Sequence, residues 1–576
     1  MLKKEWELKK IKNKSKINQD FKNISSVILK VLAQRNIYKK KDIETFLSPQ
    51  YEQLLDPFLF TQMKKAVQRI KKARKNKEKV LIFGDYDADG ITSSAILKIV
   101  LDDLGLESEV YIPDKEKEGY GINWQAVKKY LDKNFNLIIT VDCGISNFQE
   151  VKKINQAGGE IIITDHHHIP SKIPDALAIL NPQLEKQKEK GYPFSELAGV
   201  GVTFKFAQAL YQKLLPEKEE QLKWLLDLVA IGTVADCVPL LKENRILVKY
   251  GLIVLSKTRR KGLQKMLQVG RIKIDENNFP TTEKISFQIA PRLNAAGRMK
   301  HARWAFELIF SQDLVQAHNL ALEIETQNQA RQKITQQIVK EIKIIAQNSF
   351  QQKSFIFVAN QHYPIGIVGL IAGQIADYFQ KPTAVLHKKE KISVGSFRSI
   401  PGVNIINLIE KLDYLLERFG GHSQAAGITI QNKNLEEFYE KLNKLIEQEI
   451  QKKKTKPILE IDLELLPKDI DYQLAQDLQK LEPFGEGNPE PIFLTRKLKI
   501  ESLRWLGNGE KHLKLYLSNS LLKNKLLEAI GFNMNDKFQN LKSGEEIDLV
   551  YNLHTNNWNN ETRIQLRIID IKKSKD

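Results

Sequence analysis

Short apolar runs alternate with helical stretches from about residue 78 to residue 240. KVLIF leads into ITSSAILKIVLDDLG, and the strand-like runs NLIITVD, EIIITDHH and ALAIL follow, with helical stretches such as SNFQEVKKINQAG between some of them. Strands that are apolar throughout and joined by helices predict a parallel sheet covered on both faces. Ligand sites in such sheets lie beyond the carboxyl ends of the strands.

A long helix and a second alternating region follow. Residues 302–349 contain neither Gly nor Pro, and LALEIETQNQARQKITQQIVKEIKIIAQ predicts one long helix with a polar exposed face. The runs SFIFVAN, VGLIAGQIADYF, PTAVL, ISVGSFRS and FGGHSQAAGITI then predict a smaller α/β domain. The tail is different, because ILEIDLELL, PIFLTRKLKIESLRWL, KHLKLYL and RIQLRIIDI are strand-like and separated by turns, which predicts a small β-barrel.

These patterns divide the chain into five segments, as expected for 576 residues, which exceed a single hydrophobic core. We expect a basic N-terminal segment (1–45), a parallel-sheet catalytic domain (46–250), a linking region with the connector helix (251–349), a second α/β domain (350–452) and a barrel (453–576).

Composition is that of a globular protein, with 42% hydrophobic and 28% charged residues. No apolar run reaches the roughly 18 residues of a membrane span, and the N-terminus has no apolar signal region, so we expect a cytoplasmic protein without a membrane partner. Only two cysteines occur, Cys143 and Cys237. Both are predicted to be buried small residues outside any site.

The formal net charge of +19 is concentrated at the N-terminal end of the chain. Residues 1–80 contain 22 Lys plus Arg against 8 Asp plus Glu, a net of +14. Such an excess is an electrostatic footprint for polyanions such as nucleic acid. A solvated Lys-rich surface explains the charge equally well.

Candidate chemistry lies where the apolar runs end. GDYDADG places Asp85, Asp87 and Asp89 directly after VLIF. Carboxylates this close repel one another, and some would take up protons unless a cation neutralised them. The turn therefore predicts a cation site.

Further acidic and imidazole side chains are expected at strand ends in the same way. They are Asp142 after NLIITV, Asp165 with His166 and His167 after EIIIT, and Asp236 in AIGTVADCVPL. Oxygen-rich sets with one or two imidazoles suit Mn²⁺ or Mg²⁺ better than structural zinc. The number of carboxylates predicts two ions about 3.5–4 Å apart, the arrangement that activates water in phosphoester hydrolysis. His168, which extends the pair to HHH, is expected to have no ligand role.

GDYDADG, TVDCGIS, DHH and GTVADCVPL, in that order, resemble the motifs of the DHH phosphoesterases. With APRLNAAGRM, GSFRS, FGGHSQAAG and LEPFGEGNPEPIF added, the chain from about residue 45 onward resembles the bacterial RecJ-type single-strand-specific exonucleases of that superfamily. The resemblance implies a DHH domain, a DHHA1-type substrate-binding domain and an OB fold that binds nucleic acid.

The resemblance also implies roles for individual residues. The expected metal ligands are Asp85, Asp87, Asp89, Asp142, His166 and Asp236. Asp142 corresponds to the carboxylate that bridges the two ions, His167 would face the scissile phosphate, and Asp165 would orient an imidazole. The expected substrate-binding residues are Ser396, Arg398 and Ser399 of GSFRS, His422 of GGHSQAAG, and Arg292, Asn294 and Arg298 of PRLNAAGRM. EGYGI (118–122) resembles a substrate-facing segment too, and candidate stacking platforms in the OB fold are Trp505, Tyr516 and Trp558.

The function implied is 5′ to 3′ hydrolysis of single-stranded DNA to mononucleotides in DNA repair and recombination, with two Mn²⁺ or Mg²⁺ ions. Single-strand-binding protein and a helicase are partners suggested by the same resemblance. One alternative keeps the metal site but acts on short oligonucleotides or cyclic dinucleotides, and inorganic pyrophosphatases share the core too. A further alternative is a DNA-binding scaffold whose metal site has decayed. All the metal-facing positions are Asp or His, which argues against the scaffold.

Overall fold

The computed structural model describes residues 5–10, 24–114, 118–119, 121–275, 278–299, 301–453, 458–507, 509–522, 525–534, 538–558 and 561–574. The chain forms two compact units, one of Leu54–Thr455 and one that combines Leu2–Gln53 with Lys456–Asp576. Within the described ranges, no helix is both long enough and apolar enough to cross a membrane.

The strands are β1 (Glu5–Leu8), β2 (Val80–Gly84), β3 (Ser108–Tyr111), β4 (Leu137–Val141), β5 (Glu160–Thr164), β6 (Ala178–Leu180), β7 (Ile356–Asn360), β8 (Thr383–Lys388), β9 (Ile392–Arg398), β10 (Leu416–His422), β11 (Ala425–Gln431), β12 (Ile458–Ile461), β13 (Leu463–Glu464), β14 (Phe493–Leu506), β15 (His512–Ser518), β16 (Leu527–Gly531), β17 (Glu546–Trp558) and β18 (Glu561–Lys573).

The α-helices are α1 (Ser26–Gln34), α2 (Lys40–Leu47), α3 (Met63–Asn76), α4 (Ala88–Asp103), α5 (Trp124–Leu131), α6 (Phe148–Gln156), α7 (Pro182–Glu185), α8 (Gly199–Leu214), α9 (Leu226–Ala235), α10 (Lys242–Ser256), α11 (Lys261–Val269), α12 (Thr282–Lys284), α13 (Ala290–Met299), α14 (Arg303–Phe310), α15 (Leu314–Ser349), α16 (Val368–Phe379), α17 (Ile405–Glu410), α18 (Leu435–Lys453) and α19 (Tyr472–Gln479).

The first sheet of the larger unit has the strand order β3-β2-β4-β5-β6 and is parallel throughout. All residues of β2 and β4 are buried, as the unbroken apolar runs predict. After β2 the chain forms β3 on one side of β2, and it then crosses to form β4 on the other side of β2. Neighbouring strands that connect in opposite directions open a crevice at their carboxyl ends, which is where the GDYDADG turn lies.

The connector helix and the second α/β domain are confirmed. The helix α15 is continuous over 36 residues, and near its C-terminal end Ile338, Val339 and Ile342 belong to the hydrophobic core that also contains Ile356 of β7. The second sheet has the order β10-β11-β9-β8-β7, in which only β7 and β8 are parallel.

The smaller unit is a closed barrel, as expected. Its strands follow the order β14-β15-β16-β18-β17, and the long strand β14 pairs with both β15 and β17 to close the ring. Alternating residues of β15 are buried, as expected for a strand with one face toward the barrel interior.

The described part of the N-terminal segment folds with the barrel. Strand β1 pairs in parallel with β12, and Nε1 of Trp6 donates a 2.9 Å hydrogen bond to Oδ2 of Asp570. At the end of α1, the Arg35 guanidinium donates to Oδ1 of Asn488 and, at 2.6 Å, to the carbonyl oxygen of Pro489. The sequence pattern did not predict this association, and residues 1–4 and 11–23 lie outside the described ranges.

Candidate active site

The predicted acidic and imidazole side chains converge at the carboxyl edge of the parallel sheet. Asp85 follows β2, Asp142 follows β4 and Asp165 follows β5. Asp236 was expected at a strand end, and this is wrong: it caps the C-terminus of α9, a mostly apolar helix whose residues are buried up to Val234. An apolar run alone does not distinguish a buried helix from a buried strand.

The possible ligand atoms form three overlapping groups, and within each group all the atoms lie within 4.8 Å of one another. They are Asp85 with Asp87 and Asp142, Asp142 with His166 and His167, and Asp89 with His166 and Asp236. Nε2 of His166 is central, since it lies 3.3 Å from Oδ1 of Asp142 and 3.4 Å from Oδ2 of Asp236. Asp142 and His166 each belong to two groups, so the three groups form one continuous cluster.

Local structure fixes the GDYDADG turn. Asp87 is the N-cap of α4, and its Oδ1 accepts hydrogen bonds from the backbone N–H of Asp89 (2.9 Å) and Gly90 (3.1 Å). A carboxylate at this position satisfies N–H groups that have no partner inside the helix. The capping bond therefore directs the alternate carboxylates toward one side of the turn.

A second helix start, which the sequence reasoning missed, completes the centre. The N–H groups of Gly199 and Val200 each donate a 2.8 Å hydrogen bond to the carboxylate of Asp89. A Cβ on Gly199 would lie only 2.4 Å from Oδ1 of Asp142, so glycine is required for this approach. The two glycines of AGVGVT were the sequence signal that could have predicted this close approach of the backbone.

The buried carboxylate of Asp165 holds the DHH turn through hydrogen bonds. Its carboxylate accepts hydrogen bonds from the backbone N–H of Ile145 (2.9 Å), His166 (2.7 Å) and His167 (3.0 Å), and its Oδ1 lies 2.7 Å from Nδ1 of His167. Burial alone would raise the pKa of Asp165, but the bond to the His167 imidazole and these N–H donors hold it below its usual value. These contacts favour the ionised form of Asp165.

Asp89, Asp142 and Asp236 are destabilised as charges. Burial and then the neighbouring carboxylates raise the pKa of Asp89 and of Asp142 well above the usual range. Burial and Asp87 raise the pKa of Asp236 to about 7. Burial and then the adjacent His167 lower the pKa of His166 to about 4, which keeps this imidazole neutral and able to coordinate a metal ion.

The residues present fit divalent cations. Oδ1 of Asp142 and Nε2 of His166 are buried atoms that make no hydrogen bond among the described residues, although they face each other. Buried carboxylates that repel one another and a neutral buried imidazole are the donor set that Mn²⁺ or Mg²⁺ would stabilise.

The two cysteines differ from expectation in one respect. Cys143 is buried, with its Sγ 3.7 Å from the carbonyl oxygen of Phe83. Cys237 is exposed, so the prediction that both are buried is wrong for this residue. It follows Asp236 in the turn after α9, with a φ of +58°, and this backbone turns its side chain outward.

Arginines lie beside the acidic centre. Nη1 of Arg298 donates to the carbonyl oxygen of Gly366 (2.9 Å), which joins α13 to the second α/β domain. Nη1 of Arg398 lies 3.0 Å from Oγ of Ser396. Burial and the nearby Arg298 lower the pKa of Arg398, so the two guanidiniums reinforce one positive potential. Phosphate groups are the ligands that such a potential favours.

Other predicted substrate residues make internal contacts. Arg292 is paired with Glu325 of α15, with Nε 2.6 Å from Oε2. Oδ1 of Asn294 accepts the backbone N–H of Ala88 (2.8 Å), so this amide braces the start of α4. Oγ of Ser399 donates to the carbonyl oxygen of Val403 (2.7 Å).

His422, at the end of β10, meets a residue for which no role was expected. Its ring centroid lies 5.5 Å from that of His168, which connects the DHH turn to the second domain. In EGYGI, Tyr120 lies outside the described residues, and the carboxylate of Glu118 accepts from the hydroxyl of Tyr111 (2.8 Å) and the amide of Asn123 (2.7 Å).

The outer face of β15 in the barrel unit combines aromatic and basic side chains. Tyr516 is half-buried with the Lys514 ammonium 5.2 Å from its ring, and Phe532, which the sequence reasoning missed, has His512 and Arg567 near its ring. Trp505 is also half-buried, whereas the side chain of Trp558 lies outside the described residues.

Three family models match the chain. The model described as DHH family, N-terminal domain, matches residues 79–233, the DHHA1 domain matches residues 352–452, and the RecJ OB domain matches residues 461–570. The fold and the acidic centre therefore define a protein of the DHH–DHHA1 class with an OB barrel.

Relatives specify the family. The single-stranded-DNA-specific exonuclease RecJ of Bacillus subtilis (strain 168) is 37% identical over 569 residues, covering 98% of this chain and 70% of that protein. The protein of the same name from Haemophilus influenzae is 30% identical, covering 93% and 94%. The crystal structure of RecJ in complex with Mn²⁺ from Thermus thermophilus superposes with a TM-score of 0.83 at 26% identity, covering 99% of this chain and 80% of that chain. The chain belongs to the RecJ family of single-stranded-DNA-specific exonucleases.

Proposed function

We propose that this protein hydrolyses single-stranded DNA from the 5′ end to mononucleotides, with two divalent ions bound at the acidic centre. The observation that carries the proposal is the cluster of five aspartates and two histidines within reach of shared ions. Structures of RecJ with Mn²⁺ and of an exonuclease RecJ bound to manganese, which match this chain, support the choice of metal.

Bound Mn²⁺ or Mg²⁺ would activate water and act as a Lewis acid toward the phosphate. The chain's own residues supply the rest of the chemistry. Asp142 lies between the ligand groups and is suited to contact both ions. The bond to Asp165 and its charge outweigh the effect of burial and raise the pKa of His167 to about 9, so this imidazole is held as a cation able to stabilise negative charge on the phosphate.

Recognition of the strand involves both α/β domains and the barrel. Arg298, Arg398 and Ser396 would hold the phosphate at the 5′ end, because the charge of Arg298 acts on Asp87 of the acidic centre and Arg398, which contacts Ser396, lies near Arg298. The β15 face would stack bases on Tyr516 and Phe532 while basic side chains neutralise phosphates. By analogy, single-strand-binding protein and a helicase are proposed as partners, in the setting of DNA repair and recombination in the cytoplasm.

A phosphodiesterase for short oligonucleotides or cyclic dinucleotides is the second candidate, since it would use the same acidic centre. It would have no use for the OB barrel, which matches the RecJ OB domain over residues 461–570. The barrel therefore favours the longer substrate.

The test is digestion of 3′-labelled single-stranded DNA with Mn²⁺, beside a matched duplex and a dinucleotide. We expect a ladder that shortens from the 5′ end of the single strand and is abolished by Asp142→Ala. The exposed Asp132→Ala in the same domain is the control and should leave the ladder unchanged. Cleavage of the dinucleotide alone would favour the second candidate, and binding without cleavage would favour a scaffold.

A further inference from the structure

One face of α3 carries positive charge without any acidic residue. The helix sequence MKKAVQRIKKARKN contains no Asp or Glu, and its buried face packs through Met63, Ala66, Val67, Ile70 and Ala73. Five lysines are exposed on the other side: Lys64, Lys65, Lys71, Lys72 and Lys75. We call this set the α3 lysine face.

The α3 lysine face is unlike many other helical lysines of the chain, which pair with acids on their own helix. Lys98 pairs with Asp102, and Lys441 pairs with Glu437. Among the described residues, none of the five lysines of the α3 face forms an ion pair. The acid that follows the helix, Glu78, is already held by Arg69 at 2.6 Å. Glu78, whose charge also acts on Lys72, is shared with Arg69, so most of the positive charge of this face is uncompensated among the described residues.

The α3 lysine face is remote from the acidic centre. Arg69, in the middle of α3, pairs with Glu160 at the start of β5, at 2.7 Å, whereas Asp165 follows the end of that strand. Five residues of extended chain separate these positions by about 16 Å. Near the end of the helix, Nη1 of Arg74 donates to the carbonyl oxygen of Leu214, the last residue of α8, whose first residue touches the centre.

We propose that the α3 lysine face is a second docking surface for the phosphodiester backbone of single-stranded DNA, distinct from the site that cuts the strand. The choice of single-stranded DNA as the polyanion rests on the proposed function, whereas the lysine surface itself is seen in the structure. Lys64, Lys71 and Lys75 fall within about 40° of one another around the helix, at axial spacings of about 10 and 6 Å. A row of this kind follows a strand of regularly spaced phosphates.

Lysine contacts of this type are independent of sequence. Each ammonium acts as a point charge toward a phosphate, and the release of counterions makes such binding strongly dependent on salt. The surface would hold the part of a long strand that has not yet reached the acidic centre and would keep it attached between successive cuts. A trinucleotide bound at the centre is too short to contact it.

The experiment uses the full chain with Lys64→Gln, Lys71→Gln and Lys75→Gln combined. The matched control replaces three other exposed helical lysines, Lys333, Lys340 and Lys441, with Gln. Anisotropy without divalent ions measures binding of a labelled strand of about 40 nucleotides over a range of salt. Cleavage of a trinucleotide with Mn²⁺ measures the acidic centre separately.

We expect the α3 variant to bind the long strand about tenfold more weakly at low salt, with a salt slope smaller by about 2, while trinucleotide cleavage equals that of the wild type. Unchanged long-strand binding, or an equal loss in the control variant, would overturn the proposal. A labelled Glu-rich peptide is measured in the same way. If the α3 variant loses binding to this peptide but still binds the long strand, the proposal is overturned in favour of an acidic protein partner. If the wild type cuts neither DNA, the proposed function is contradicted. The binding measurement is made without divalent ions and therefore still tests the α3 lysine face.

Discussion

Nδ1 of His167 lies 2.7 Å from Oδ1 of Asp165, and the same oxygen accepts the backbone N–H groups of His166 and His167. One buried carboxylate oxygen thus sets both the path of the DHH turn and the orientation and charge of the imidazole. Asp165 itself belongs to none of the groups of possible metal ligands among the described residues. We therefore propose that Asp165 positions its neighbours.

Asp165→Asn is therefore expected to lower kcat by about two orders of magnitude, because the His167 imidazole loses its anionic partner and with it its positive charge. The loss should persist at saturating Mn²⁺, since the possible ligands remain in place. Steady-state kinetics on single-stranded DNA at several Mn²⁺ concentrations check this. The exposed Asp175→Asn is the control, and full recovery of kcat by added Mn²⁺ would contradict the role assigned to Asp165.

Asp236 predicts how the metal-free protein responds to pH. Because its pKa is raised to about 7 in the folded state, the folded protein holds this proton more tightly than the unfolded chain does. The resulting stability is complete below the unfolded pKa of about 4 and is lost as the pH rises through about 7. The melting temperature without metal should fall as the pH rises from about 4 to about 7 and level off above that, and Mn²⁺ should reverse the fall. In Asp236→Asn this fall should be smaller, and an equal fall in the variant would exclude Asp236 as its cause.

Gly199→Ala should abolish activity, because the added Cβ would lie 2.4 Å from Oδ1 of Asp142 and would displace this carboxylate. We expect at least a hundredfold loss of kcat/KM, together with weaker Mn²⁺ binding by calorimetry. Gly201→Ala, two residues further along α8, places its Cβ 3.2 Å from the flexible end of Leu197 and should retain most activity. Equal behaviour of the two variants would argue against a steric requirement at Gly199.

Asn294→Ala distinguishes bracing from substrate contact. If Oδ1 of Asn294 serves to hold the N–H of Ala88, its removal should lower kcat about tenfold and leave KM nearly unchanged. A residue that binds substrate equally before and during the reaction would instead raise KM. As a comparison, the separate variant Arg292→Ala should lower the free energy of unfolding by about 3 kcal/mol, because it leaves the half-buried Glu325 without its cation. Thermal unfolding and kinetics of both variants measure these outcomes.

Arg35→Ala should loosen the N-terminal segment from the barrel unit. Arg35 donates to Asn488, whose side chain is fully buried and also bonds the carbonyl oxygens of Leu481 and Pro483, each at 2.8 Å. Losing a donor to a buried amide costs about 1–3 kcal/mol. We expect faster hydrogen exchange around residues 481–491. The exposed Lys30→Ala on the same helix is the control, and equal exchange in the two variants would contradict the prediction.

Local pattern was sufficient for most of the architecture. Unbroken apolar runs, the absence of Gly and Pro over 302–349 and alternating strands in the tail predicted the parallel sheet, the connector helix and the barrel. It also predicted that Asp85, Asp142 and Asp165 would meet, because the carboxyl ends of parallel strands lie at one edge whatever the rest of the fold does.

The tertiary structure decided everything that depends on contacts between distant parts of the chain. The sequence could not place Asp236 at a helix end, direct the N–H groups of Gly199 and Val200 to Asp89, or turn Asn294 toward Ala88. The contacts of Asp89 and Asn294 join residues 110 to 206 positions apart, and no periodicity of 2 or 3.6 residues carries information over such separations. The sequence alone thus determined which side chains carry the chemistry, and long-range packing determined how they are held.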